Sequence, residues 1–186
     1  MVLNLLLVVL FYCHPERSRG TFIKPKPHFF KLKLYKMSET IKWKIKRFNE
    51  FSLQELYSLL KLRSHVFVVE QNCVYQDIDG KDEKALHLLG EFEDKIVAYA
   101  RLFKAGDYFE NASIGRVVIH PDCRDKKWGH EMMQQAITGI EQNFETKQIT
   151  ISAQLYLKKF YESHGFVQTT EMYLEDDIPH IEMKRG

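Results

Sequence analysis

Ile41, Trp43 and Ile45 alternate with Lys42, Lys44 and Lys46, the two-residue period of a strand with one face in water. Ser52 and Glu55 then form a capping box, which opens a helix whose apolar stripe is expected to run through Leu53, Leu56, Leu60 and Phe67. Residues 87–92 and 96–103 read as strands joined across Asp94 and Lys95, a hairpin-length gap. A β-branched strand at 114–119 follows, and Met133, Ile137, Ile140 and Phe144 recur at helical spacing beyond it. The remainder predicts a strand at 148–152, a short helix carrying Phe160 and Tyr161 that stops at Gly165, and strands at 166–173 and 180–184. Strands and helices interleaved in this way predict one α/β domain, with no internal repeat and no interdomain linker after Met37.

The first 36 residues follow a different pattern. Residues 2–13 are almost wholly apolar, and residues 17–36 carry seven cations against Glu16, so this stretch is about +6 while the chain total of +2 leaves the rest near −4. The apolar run is too short to span a bilayer, no cation precedes it, and no clear small-x-small cleavage site follows it. The expectation is therefore a non-domain extension at 1–36, with Met37 as the natural start and a domain at 37–186; a membrane anchor is the other reading. Cys13, Cys73 and Cys123 show neither paired-disulfide nor metal-site spacing, which fits a reduced, cytoplasmic environment. Asp77, Asp79, Gly80 and Asp82 lack the order of a calcium loop, so no metal is expected. An acidic domain without a stacking platform disfavours nucleic acid, and no membrane association is expected of it.

Candidate chemistry concentrates in residues 114–136, IGRVVIHPDCRDKKWGHEMMQQA. A strand ending in Val117, Val118 and Ile119 is stopped by Pro121 and delivers the chain into a helix start marked by Gly129. The first N–H groups of a helix lack internal partners and carry the positive end of its dipole, so such a start binds anions. Arg124, Lys126 and Lys127 add positive charge there. The Walker pattern GxxxxGK and the dinucleotide pattern GxGxxG are both absent.

A second segment, residues 149–166 (ITISAQLYLKKFYESHGF), supplies a strand and a tyrosine-bearing helix. Together the two segments resemble the acetyl-coenzyme A site of the GNAT N-acetyltransferases. In that family the pyrophosphate loop runs Arg or Gln, two residues, Gly, one residue, then Gly or Ala. Arg124 and Gly129 match its ends, Lys127 stands at its first glycine, and Gln154 stands where many members have asparagine. VFVVEQNCVYQDIDG at 66–80 and EDDIPHIEM at 175–183 are similar to the small bacterial ElaA-type members. The resemblance implies a mixed sheet split at its centre and flanked by helices, with acetyl-coenzyme A as cosubstrate and a small-molecule or peptide amine as acceptor; it leaves the oligomeric state open. It places the coenzyme along Val117, Val118 and Ile119, then Arg124, Asp125, Lys126, Lys127, Trp128 and Gly129, with Gln154 opposite.

Acyl transfer from a thioester to an amine requires held reactants, a neutral amine, a stabilised oxyanion and a proton for the departing thiolate. Tyr161 is the expected acid, since the matching family tyrosine sits beside the sulfur. The base stays open among Glu70, Asp77, Asp79, His87 and His180, which the resemblance places on the acceptor side. His180 is favoured slightly because it follows Pro179 at a strand start and histidine is the side chain type suited to proton transfer near neutral pH. A non-catalytic acetyl-coenzyme A sensor on the same fold is the alternative.

Overall fold

A computed structural model describes residues 40–186. The expectations for residues 1–36 and for Met37 lie outside the described residues. The domain is built from β1 (Lys42–Arg47), α1 (Leu53–Arg63), β2 (Leu86–Phe92), β3 (Lys95–Phe103), β4 (Ala112–Ile119), α2 (Gly129–Phe144), β5 (Ile149–Gln154), α3 (Lys158–Glu162), β6 (Val167–Gln168), β7 (Tyr173–Glu175) and β8 (Ile178–Arg185). Its eight-stranded sheet runs β1-β2-β3-β4-β5-β8-β6, with β7 also paired to β8.

The helices cover opposite faces. Adjacent residues separate between two clusters: Leu88 packs with Ala98, Met133 and Ile137 under α2, while Leu89 packs with Tyr99, Leu59 and Leu62 under α1. A strand buried on both faces reads as a near-continuous apolar run, which explains Leu86, Leu88 and Leu89 of β2, interrupted by the buried, hydrogen-bonded His87. Gly139 lets α2 lie close on the sheet, since a Cβ there would meet Ile45 at 2.7 Å.

Several elements differ from the sequence expectation. The Ser52–Glu55 capping box forms, but Leu53 is exposed, and the buried face of α1 is Leu59, Leu62 and Arg63, continued by Val66. After Arg63 the helix widens into a π-helical stretch, Ser64–Glu70, which rotates the chain so that Phe67 and Glu70 line the cleft described below. The β2–β3 turn falls on Glu93 and Asp94, both in the left-handed region that a two-residue hairpin needs, one position before the expected pair. The strand expected at 166–173 breaks into β6 and β7, which pair with different parts of β8.

The feature that creates a site is the junction of β4 and β5. They run parallel and pair only at Ala112↔Ile149 and Ser113↔Thr150. Beyond Ser113 the strands part. Arg116, at φ +51°, forms a bulge where the β3–β4 register shifts, and bulges bend a strand. From Ile114 to Ile119 the edge of β4 that faces β5 therefore has no strand partner.

Candidate active site

The opening between β4 and β5 is a cleft of about 860 Å³ that runs from the α2 start to the β7–β8 hairpin. Its first bank carries Val117, Val118, Ile119, Arg124, Lys127, Trp128 and Gly129, with Gln154 facing them from β5. The first backbone bond of α2 runs from the Met132 N–H to the Trp128 carbonyl, and no side chain caps the helix. The N–H groups of Gly129, His130 and Glu131 are therefore left over at the end of the cleft. Lys127 sits at φ +59° in the left-handed region, the conformation for which a glycine is the usual residue. The loop keeps the glycine-type backbone with a lysine in place.

Asp125 and Lys126 do not line the cleft, contrary to the sequence expectation. The 3-10 turn Pro121–Lys126 turns them outward, and the Lys126 ammonium lies 5.0 Å from the Phe92 ring centre and 5.6 Å from that of Trp128. Arg124 does line it, but its guanidinium is held by Glu70 through two bonds of 2.7 and 2.9 Å.

Tyr161 lies at the cleft floor, 6% exposed, with its ring edge-on to Phe160 and Phe166. Its hydroxyl makes no hydrogen bond among the described residues, and burial pushes its pKa above the usual tyrosine range. A phenol in this setting is protonated at neutral pH and has its donor unspent.

The second bank is charged, and most of its charges are already paired. Arg63, wholly buried, binds Asp77 Oδ2 at 3.0 Å, Asp82 Oδ1 at 2.8 Å and the Asp77 carbonyl at 2.9 Å. Arg101 binds both oxygens of Asp79, at 2.8 and 2.7 Å, and Asp82 at 3.0 Å. Arg116 closes the set on Asp77 at 2.7 Å. Burial alone would raise the Asp79 carboxyl, but Arg101 and the Lys81 N–H bring it down to about 2. Within this set, only Arg101 Nε is a buried side-chain donor without a partner among the described residues.

These pairings correct three expectations. Asp77 and Asp79 are committed to arginines, and Asp77 does not line the cleft. His87 is fully buried away from it, bonded to the Tyr99 hydroxyl at 2.8 Å and to the Asp82 carbonyl at 3.0 Å; burial lowers its pKa. His180, by contrast, lines the cleft half-buried, with Nδ1 2.8 Å from the Ile178 carbonyl. A carbonyl only accepts, so Nδ1 carries a proton in this bond and Nε2 is the ring nitrogen left to take one.

A family model, the acetyltransferase (GNAT) domain, matches residues 49–185. The chain belongs to the GNAT acetyltransferase family. It is thus an acyltransferase of the GNAT type, built on that family's mixed, centrally split sheet. Protein ElaA of Escherichia coli K12 is 44% identical over 147 residues, covering 78% of this chain and 96% of that protein. The crystal structure of E. coli ElaA has a TM-score of 0.74 at 43% identity, covering 79% of this chain and all of that one. That of an acyl-CoA N-acyltransferase from Pseudomonas aeruginosa has a TM-score of 0.75 at 40% identity, again covering 79% and 100%.

Sequence reasoning did not single out the arginine partners Arg63, Arg101 and Arg116. It also missed Ser152 and Glu175, which meet on the β5–β7 side of the cleft with the Ser152 hydroxyl donating to Glu175 Oε2 at 2.6 Å. The acidic run Glu175-Asp176-Asp177 was the signal for the second pair, and three aspartates within six positions were the signal for the first.

Proposed function

We propose that the protein transfers an acetyl group from acetyl-coenzyme A to a primary amine, by direct attack with both substrates bound. One observation carries this reading: the β4–β5 split opens a single cleft onto an uncapped helix start at one end and the unbonded hydroxyl of Tyr161 at its floor.

The N–H groups of Gly129, His130 and Glu131, with Lys127 and Arg124 beside them, are suited to a pyrophosphate. The unpaired edge of β4 offers N–H and C=O groups to the amides of a pantetheine arm, which would act as the missing strand. The same edge, at Val117 to Ile119, donates toward a thioester oxygen as it gains charge. His180 Nε2 takes the proton of the attacking amine. A C–N bond forms, the C–S bond breaks, and Tyr161 gives its proton to the departing thiolate. Glu175 and Asp176 at the cleft mouth favour a cationic acceptor, whether a small molecule or a peptide amine.

Mixing purified protein with acetyl-coenzyme A and a panel of primary amines tests this. Thiol release that depends on one of the amines is the expected result. Tight coenzyme A binding with no thiol release across simple alkylamines, diamines, aminosugars and peptide amines would replace transfer with a binding-only role.

A further inference from the structure

Glu70 and Arg124 lie 54 positions apart, at the end of the π-helical stretch on one side and in the loop before α2 on the other. Both line the same cleft, and their side chains are joined by two short, parallel bonds, Nη1 to Oε1 at 2.7 Å and Nη2 to Oε2 at 2.9 Å. Arg124 is the sole partner of the Glu70 carboxylate among the described residues, and this bond holds the Glu70 pKa below the usual carboxylate range. The pair is partly in water, 47% and 36% exposed, so it is a weak tie that another anion can exchange. That distinguishes it from the buried arginine–aspartate set behind it, whose members have several partners each.

Given the coenzyme placement proposed above, we infer that Glu70 couples the two half-sites: the pyrophosphate takes Arg124, and the released carboxylate then receives the ammonium of the acceptor. Before the exchange, the acceptor bank offers little uncommitted negative charge on this side. Asp79 is neutralised by Arg101 and Arg116, and the Lys81 ammonium sits 4.3 Å from the Tyr108 ring centre. After it, Glu70 is an unpaired carboxylate facing the cleft. The acceptor class is therefore a cationic primary amine, and its binding is favoured by the coenzyme. Linkage makes this reciprocal, since the amine, by holding Glu70 away from Arg124, tightens the coenzyme by the same factor.

Calorimetric titration separates the outcomes. Coenzyme A is titrated into the full chain and into Glu70→Gln, and n-butylamine is titrated into each with and without saturating coenzyme A. Removing the competing carboxylate is expected to tighten coenzyme A by about two- to fivefold, the range of an exposed ion pair. Butylammonium is expected to bind the parent several-fold more tightly when coenzyme A is present, and the variant equally weakly in both cases. Coenzyme affinity in Glu70→Gln that is unchanged or weaker overturns the coupling, as does butylammonium binding indifferent to coenzyme A. Either result leaves the acyl-transfer reading standing if the parent binds coenzyme A and releases thiol; a parent that binds no coenzyme A removes both.

Discussion

The two banks of the cleft spend their polar groups differently. On the acceptor side, three arginines and three aspartates are locked into one set with bonds between 2.7 and 3.0 Å, and nearly every buried donor has its acceptor. On the bank proposed for the coenzyme, the α2 start has no cap, the edge of β4 has no strand, and the Tyr161 hydroxyl has no partner among the described residues. Buried groups that are already paired hold a shape, whereas groups left unpaired toward a cleft are available to a ligand. The contrast explains why Asp77 and Asp79, two of the five residues the sequence left open as bases, are framework, while backbone N–H groups and one phenol are left available to the proposed chemistry.

The largest effect should come from breaking the paired side. Arg63→Met leaves Asp77 and Asp82 buried with one cation fewer, and losing one member of a buried ion set costs about 3–5 kcal/mol. Urea unfolding measures it; a loss below about 1 kcal/mol would mean that the set is no more than a solvated surface cluster. On the unpaired side the opposite pattern is expected. Gly129→Glu brings a carboxylate to the helix start, where it satisfies the orphan N–H groups and repels a pyrophosphate. A Cβ at Gly129 meets the Phe160 ring at 3.7 Å, ordinary contact, so the fold should keep its stability while coenzyme A affinity drops by about a hundredfold or more. Unchanged affinity in calorimetry would place the anion elsewhere.

Tyr161→Phe sharpens the same contrast at the cleft floor. The ring packing against Phe160 and Phe166 is kept, and a hydroxyl with no partner leaves none orphaned. Stability and coenzyme affinity should hold while kcat falls by about a hundredfold, the share of a general acid. A smaller loss with a donor whose leaving thiol is more acidic would confirm the step. Parent-level turnover with acetyl-coenzyme A would make Tyr161 simple packing.

Much of the fold was legible in the sequence because strand alternation, the Ser52–Glu55 box and the α2 stripe are local patterns set by local geometry. The helix stop at Gly165, at φ +83°, was legible for the same reason. The α1 stripe was drawn through Leu53, Leu56 and Leu60 where the buried face is Leu59 and Leu62, and beyond Arg63 the chain is π-helical, where a 3.6-residue period no longer applies. The site divided along similar lines. Gly129, Lys127 and Tyr161 line the cleft and could be singled out beforehand because their motifs span a few residues. The partners of Asp77, Asp79 and His87 were not legible because Arg63, Arg101, Arg116 and Tyr99 arrive from other elements, and pairing across a sheet leaves no mark in the local sequence.

Acid should act first on the paired side. His87 has a folded pKa below its ordinary 6.5, because burial disfavours the charged ring. It is neutral in both states above that pH; below it the unfolded chain binds the proton more readily, so stability declines as pH falls from 6.5. Asp79, at about 2 against its ordinary 3.8, adds a second loss between those values. In thermal melts across pH, His87→Gln should flatten the upper window and leave the lower one intact. An unaltered slope between pH 6.5 and 5 would assign the upper window to other groups.

The smallest effect tests the one place where strain and ligand binding meet. Lys127 holds a left-handed backbone at φ +59°, which costs a residue with a Cβ about 1 kcal/mol relative to glycine. Lys127→Gly removes that strain but also gives the unfolded chain more freedom, which offsets part of the gain, so stability should rise by no more than about 1 kcal/mol. The variant also restores the loop's usual glycine, which by backbone fit alone should preserve or improve coenzyme affinity. If affinity instead falls by a few-fold, and the difference shrinks at high salt, the Lys127 ammonium contributes directly to the anion, as an exposed charge does. A salt-independent change would trace the effect to backbone shape, and Lys127 would then be a tolerated departure in an otherwise glycine-type loop.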